Sequence, residues 1–127
     1  MMASQKFYIC SKCGNLVGFI SSQGAPLVCC GERMKELVPN TVDAATEKHL
    51  PDVTISGDVV EVSVGSVLHP MLEEHNISFI YIQTENGGQR KKLEVGKEPK
   101  ATFVLSDDKV VAVFAYCNLH GLWKVEI

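Results

Sequence analysis

The sequence predicts a mostly β protein, in which a small metal-binding segment precedes an antiparallel β-sandwich. Four of the five cysteines lie within the first thirty residues, whereas all four histidines lie beyond residue 48. From residue 50 onward, short runs rich in β-branched and aromatic residues alternate with turn residues, as is typical of sandwich domains. We therefore divide the chain into a head, residues 1–37, and a body, residues 38–127, with separate sites of different chemistry.

The head is predicted to contain short strands joined by tight turns. Residues 7–9 and 16–20 have the pattern of strands, and 10–14 between them forms a turn that ends on glycine. A third extended run is expected at 27–31. Because so short a segment cannot bury enough apolar surface to fold unaided, we expect a metal, a partner subunit or both to stabilise it.

The body is predicted to contain about seven short strands. The Asn-Gly-Gly sequence at 86–88 indicates a hairpin between strands at 77–82 and 90–93. Helix is scarce, with one turn expected at 43–48 and another at 71–75. The other strands are expected at 53–55, 59–64, 101–105, 110–116 and 122–126.

Composition and charge exclude several classes of protein. The 46% hydrophobic content is too high for a disordered chain, and no apolar run approaches the roughly 18 residues that span a bilayer. A balance of 12 basic against 15 acidic residues lacks the positive surface that nucleic acid requires. We therefore expect no membrane or nucleic-acid partner, and the absence of a secretory-type start favours a cytoplasmic location.

The head cysteines have the pattern of a metal site. Cys10 and Cys13 have the two-residue spacing that lets both sulfurs of one turn reach an ion, and Cys29 and Cys30 supply two more. Adjacent cysteines normally point apart, so both can bind only if the backbone turns sharply, which Gly31 would permit. The alternatives are a vicinal disulfide or reactive thiols, and a conventional zinc ribbon. Four thiolates suit zinc or a single iron, and the residues alone leave the metal open.

The body offers a second set of metal-binding groups. Cys117 and His120 lie three residues apart after a predicted strand, and His69 and His75 share one predicted loop, whereas His49 lies where head and body join. A lone histidine is more often structural, but if all five converge they form a site of four imidazoles and one thiolate. Zinc prefers four ligands, whereas iron accepts five or six, so such a site favours iron with one open position. Its net positive charge would attract a small anion.

Five short motifs carry a family resemblance over essentially the whole chain. They are CSKCG at 10–14, CCGERM at 29–34, EKH at 47–49, GSVLHPM at 65–71 and YCNLHGLW at 116–123. In this order they closely resemble the desulfoferrodoxins, which are two-iron superoxide reductases. The resemblance implies two iron ions per chain, a desulforedoxin-like head and an immunoglobulin-like body. It places one iron on Cys10, Cys13, Cys29 and Cys30, and the catalytic iron on His49, His69, His75, Cys117 and His120.

The resemblance also implies a reaction and partners. Superoxide would be reduced by one electron to hydrogen peroxide, and a carrier such as rubredoxin would restore the ferrous state. Lys48 would draw in superoxide and help to supply a proton, and Glu47 would occupy the open position of the ferric form. A homodimer is expected. The alternatives from another class are a non-catalytic iron electron carrier and a zinc-stapled interaction module.

Overall fold

The chain forms two compact units, one ending at Val38 and the other beginning at Pro39. The computed structural model describes residues 3–127. Strands dominate both units, so the prediction of a mostly β protein is confirmed. Within the described residues, no helix has the length and apolar character needed to cross a bilayer.

The first unit contains two small antiparallel sheets. Strand β1 lies between β2 and β5 in one sheet, and β3 pairs with β4 in the other. The single run expected at 27–31 is instead the hairpin of β3 and β4, because positive φ angles at Cys30 (52°) and Gly31 (75°) reverse the chain. The strand bounds are β1 Phe7–Ile9, β2 Leu16–Gly18, β3 Val28–Cys29, β4 Glu32–Arg33 and β5 Lys35–Glu36.

The second unit is a sandwich of a three-stranded and a four-stranded antiparallel sheet. The strand order is β10-β7-β6 in the first sheet and β12-β11-β8-β9 in the second. Helix is limited to a single turn, α1, immediately before β6. The bounds are α1 Thr46–His49, β6 Pro51–Ser56, β7 Val59–Val64, β8 Ile77–Thr84, β9 Gly87–Lys92, β10 Lys100–Val104, β11 Val110–Cys117 and β12 Gly121–Glu126.

The sandwich core follows from alternation along the strands. In β7, Val60 and Val62 are buried, whereas Glu61 between them is exposed. Ile80 and Val113 from the other sheet belong to the same buried cluster as these valines, so the two sheets pack face to face. The core is thus made of β-branched and aromatic side chains with the period of two that the sequence shows.

Two expected local features have different outcomes. The hairpin expected at 86–88 is present, and β8 pairs with β9 on either side of it. The helical turn expected at 71–75 is wrong. Leu72 and His75 instead exchange both backbone hydrogen bonds with each other (2.9 and 3.2 Å), which closes a tight loop and occupies the N–H and carbonyl groups of these two residues.

One edge of the sandwich collects the chain segments that carry the candidate residues. Pro51, just after α1, lies opposite Val64, the last residue of β7. On the other sheet, Cys117 at the end of β11 pairs with Ile77, the first residue of β8, and with Gly121, the first residue of β12. The loops that leave these strand ends are therefore brought together by strand register.

Core packing in the body predicts a large effect of truncating Phe103, which is 1% exposed in β10. Phe103→Ala should lower the free energy of unfolding by about 3–5 kcal/mol, because it removes apolar contacts and leaves a cavity. The measurement is denaturant unfolding of the metal-free protein, followed by the fluorescence of Trp123, which is the only tryptophan. Val104→Ala on the same strand is the control. Val104 is 66% exposed, so its change should stay within about 0.5 kcal/mol. Equal losses in the two variants would contradict the assigned core.

Candidate metal centres

The four head cysteines form one sulfur cluster. The Sγ atoms of Cys10, Cys13, Cys29 and Cys30 all lie within 4.8 Å of one another. Cys13 and Cys29 Sγ are 3.6 Å apart, and Cys29 and Cys30 Sγ are 4.0 Å apart without a bond between them. Sulfurs about 2.3 Å from a tetrahedral ion lie about 3.8 Å from each other, so the spacing fits a tetrathiolate metal site. The vicinal disulfide alternative is not observed.

Backbone amides and the close approach of the sulfurs set the thiol pKa values in this cluster. The Cys13 and Lys12 backbone N–H groups stabilise the Cys10 thiolate and lower its pKa to about 6. Hydrogen bonding with Cys13, Cys10 and Cys29 raises the pKa of Cys30 to about 12. Four thiolates this close repel one another, and a cation at their centre relieves that repulsion.

The four body histidines form a closed ring of imidazoles. His49 lies next to His69, His69 next to His75, His75 next to His120, and His120 next to His49. The ring centroids of these neighbours are 4.7, 4.5, 5.2 and 4.9 Å apart, and their planes meet at 74°, 82°, 74° and 89°. Each imidazole therefore turns its edge toward a common centre.

Cys117 is buried beneath the surface, next to this ring of imidazoles. Its sulfur is fully buried, and it lies within 4.8 Å of nitrogens of His49, His69 and His75. His120 presents Nδ1, which is 3.8 Å from Cys117 Sγ and 3.1 Å from His49 Nε2. The structure thus brings four of the five residues that the sequence singled out in the body within 4.8 Å of one another, and it places the His120 Nδ1 atom beside two of them.

Backbone carbonyls fix the protonation of two imidazoles. His49 Nδ1 is 2.7 Å from the Ala45 carbonyl, and His69 Nδ1 is 2.7 Å from the Pro70 carbonyl. A carbonyl only accepts, so both rings carry the proton on Nδ1 and present Nε2 as the acceptor. This is the tautomer that binds a metal through Nε2.

The buried nitrogens test whether a metal fits this site. Within the described residues, His69 Nε2 and His75 Nε2 are buried without a hydrogen-bond partner. A buried polar atom left unpaired is costly, so these nitrogens lack the partner that a cation would provide. Four imidazole nitrogens and a thiolate suit iron, which accepts five or six ligands, better than zinc, which prefers four. The residues present therefore fit the metal.

Burial favours the neutral form of His49 and His69. Desolvation, helped by the nearby His49 and His75 rings, lowers the pKa of His69 to about 4 against the raising effect of the Pro70 carbonyl. The pKa of His49 is also lowered, mainly by burial and in part by the positive charge of Lys48. Near neutral pH these lone pairs are therefore available to a metal, and the field of Lys48 reaches the site.

Trp123 supports the ring of imidazoles from one side. Its indole stacks on His49, with centroids 5.0 Å apart and planes at 29°, and its Nε1 donates a 3.1 Å hydrogen bond to the His120 carbonyl. Its contacts with two of the ring's four histidines depend on the β11–β12 register, which sequence spacing does not reveal.

Glu47 and Lys48 lie on α1 beside the buried His49, and both are exposed. The turn is held by the loop after β7, where Val67 N–H donates to the Glu47 carbonyl (2.9 Å). Gly65 makes this packing possible, because a Cβ there would lie 2.6 Å from the Glu47 carbonyl oxygen and 2.8 Å from that of Leu50. The sequence motif containing Gly65 gave no indication of this backbone contact.

Comparisons with known proteins agree with this geometry. The family model described as desulfoferrodoxin matches residues 41–126, and that of the desulfoferrodoxin N-terminal domain matches residues 3–37. The desulfoferrodoxin of Nitratidesulfovibrio vulgaris is 45% identical, over 95% of each chain. The crystal structure of the superoxide reductase from Treponema pallidum matches with a TM-score of 0.82 and 38% identity, over 98% of this chain and 100% of that one.

A shorter relative matches with a lower score. The superoxide reductase (1Fe-SOR) from Giardia intestinalis gives a TM-score of 0.52 at 33% identity, and the match covers 65% of this chain and all of that one. The tetracysteine and histidine–cysteine clusters are consistent with the two-iron layout that the sequence motifs imply. Since family models match both parts of the chain, and relatives match over nearly its whole length, the chain belongs to the desulfoferrodoxin family.

Proposed function

We propose that this protein is a superoxide reductase, which reduces superoxide to hydrogen peroxide at an iron held by the body histidines and Cys117. The observation that carries the proposal is the closed ring of four edge-on imidazoles above a buried thiol. Two buried nitrogens of that ring lack a protein partner within residues 3–127. The name of the Treponema pallidum structure supports the same activity.

The proposed ligands are four imidazole nitrogens and one thiolate. His49, His69 and His75 would bind through Nε2, and His120 through Nδ1, the nitrogen that faces the Cys117 sulfur. Cys117 would bind from the buried side, which leaves the opposite side of the ring for the substrate. Bound there, ferrous iron would supply one electron to superoxide, and two protons complete hydrogen peroxide.

Charge explains how an anion reaches this site. The chain carries a net charge of −3, so the protein as a whole does not attract superoxide. Lys48 is exposed beside His49, and its positive charge contributes to lowering the His49 pKa, so its field reaches that imidazole. We infer that Lys48 draws in superoxide and helps to supply a proton to the product.

Glu47 has a complementary role in the proposal. Its carboxylate lies on the same turn as Lys48 and His49, and the turn is held by Gly65 and Val67. The carboxylate would close the open side after oxidation, when the positive charge of the site is highest, and a new anion would displace it. The open position is thereby protected from other ligands between turnovers.

The physiological partners remain part of the proposal. The head tetrathiolate cluster would hold the second iron, and a small electron carrier such as rubredoxin would reduce the enzyme again. Homodimer formation and a cytoplasmic location also stay predictions from the sequence.

Replacing Cys117 tests the proposed axial thiolate. Cys117→Ser should abolish superoxide reduction, because it removes the sulfur that donates charge to the iron opposite the substrate position. The measurement is peroxide formed after a superoxide pulse is mixed with reduced protein without oxygen. Cys30→Ser is the matched control. It should remove the visible absorbance of the ferric tetrathiolate and leave superoxide reduction in place. Turnover retained by Cys117→Ser would contradict the proposal.

Replacing Lys48 tests electrostatic attraction. Lys48→Ala should slow the second-order reaction with superoxide by roughly 2- to 10-fold at low salt, and should flatten its dependence on ionic strength. The rate is followed by pulse radiolysis across a salt series. Lys109→Ala, an equal charge change at an exposed turn before β11, should behave like the unmodified protein. A Lys48→Ala rate equal to the unmodified one at low salt would exclude the proposed role.

Replacing Glu47 tests the proposed sixth ligand. Glu47→Ala should leave the reaction of the ferrous protein nearly unchanged, because the carboxylate binds only after oxidation. The absorption spectrum of the ferric body site should shift, because the carboxylate ligand is lost. Glu61→Ala removes an exposed carboxylate from β7 and should leave this spectrum unchanged. Identical ferric spectra for Glu47→Ala and the unmodified protein would remove Glu47 from the ligand set.

A further inference from the structure

Two loops that carry proposed ligands are joined by a pair of asparagines. Asn118 follows Cys117, and Asn76 follows His75. The Asn118 backbone N–H donates to the Asn76 carbonyl (3.2 Å), and the Asn76 backbone N–H donates to Asn118 Oδ1 (2.9 Å). Asn118 Nδ2 also donates to the carbonyl of Glu74 (3.0 Å). We call these three hydrogen bonds the asparagine clasp.

Asn118 replaces a strand residue at the point where the β8–β11 ladder ends. The register shifts between Tyr116 and Cys117, and the last pair joins Cys117 to Ile77. A further strand pair would need one N–H and one carbonyl from β11 to satisfy the backbone of Asn76. Asn118 supplies the N–H from its backbone and the acceptor from its side chain. Its own backbone carbonyl is therefore not needed for pairing with Asn76, and the chain can turn toward His120.

The loop with His75 has few other attachments. Leu72 and His75 pair with each other, and the Asn76 side chain donates back to Leu72, so these bonds stay within the loop. Among residues 3–127, the hydrogen bonds that residues 72–76 make outside the loop go to Ser78 and to Asn118. Leu72 is 52% exposed, so apolar burial of this side chain adds little.

We propose that Asn118 is a positioning residue, which holds the His75 imidazole next to Cys117 through the asparagine clasp. This inference rests on the proposed function, because it takes His75 and Cys117 as ligands of one iron. Without the Asn118 side chain, the loop of residues 72–76 keeps its internal bonds and the backbone bond from the Asn118 N–H to the Asn76 carbonyl, but it loses the bonds at the Asn76 N–H and the Glu74 carbonyl. The imidazole of His75 then moves away from the other ligands, and the body site holds its metal less firmly. The fold of the sandwich is unaffected.

The test is the rate of iron release. Protein loaded with ferrous iron is mixed anaerobically with an excess of a ferrous chelator, and the chelated iron is followed by absorbance. The phase of iron release that is lost or altered in Cys117→Ser is assigned to the body site. Asn118→Ala should speed that phase by about 10- to 100-fold, the usual effect of losing a group that orients a ligand, and should leave the head phase unchanged. Asn118→Asp keeps the acceptor for Asn76 but loses the donor to Glu74, so its rate should be intermediate.

The matched control is Asn86→Ala at the other end of β8. Asn86 also ties two turns together, since its Nδ2 donates to the Asp107 carbonyl (3.4 Å) and to Asp108 Oδ1 (3.3 Å). The eight residues of β8 place it roughly 25 Å from Asn76. Asn86→Ala should release body iron at the unmodified rate.

Four outcomes count against the proposals, and they can be told apart. Body iron released from Asn118→Ala at the unmodified rate would overturn the asparagine clasp, as would equal acceleration by Asn86→Ala. Unmodified protein that holds no iron in the body would overturn both the clasp and the proposed function. Iron held normally, with no peroxide formed from superoxide, would overturn the proposed function and leave the clasp standing.

Discussion

The body site depends on one constraint, which is that five side chains from three chain segments must meet at one point. The segments are α1, the loop between β7 and β8, and the end of β11 with the turn that follows it. Strand register brings all three to one edge of the sandwich, because Pro51 lies opposite Val64 and Cys117 lies opposite Ile77. The core therefore does more than stabilise the fold. It fixes the distances between groups far apart in sequence.

Most of the local interactions at this edge orient the ligand atoms. Carbonyls of Ala45 and Pro70 select the tautomers of His49 and His69, and Trp123 stacks on His49. The result is a set of inward-facing ligand atoms formed without the metal, two of them buried and unpaired within the described residues. Such a site is preorganised for a cation and strained without one, since unpaired buried nitrogens are costly.

The two clusters depend on different parts of the structure to bring their ligand atoms together. The head needs very little structure, because four sulfurs from two tight turns lie close in sequence as well as in space. Its key local device is the left-handed backbone at Cys30 and Gly31, which lets adjacent cysteines face one ion. The body needs a complete sandwich, because its nitrogens are spread from His49 to His120.

Sequence reasoning was most successful where the determining pattern is local. The strand alternation in β7, the hairpin after β8 and the cysteine spacing of the head all follow from neighbours in the chain. It was wrong for the helical turn at 71–75, because the pairing of Leu72 with His75 competes with helix and no periodicity signals it. It also missed Gly65 and Asn118, whose partners belong to other elements.

The sequence by itself determined the donor types and the family, because these depend on which residues occur and in what order. Only the tertiary structure decided that four imidazoles form a ring with near-perpendicular planes, and which nitrogen each turns inward. Those features depend on strand register and on single hydrogen bonds to backbone carbonyls. Such contacts arise between residues distant in the chain, and residue identity alone does not specify them.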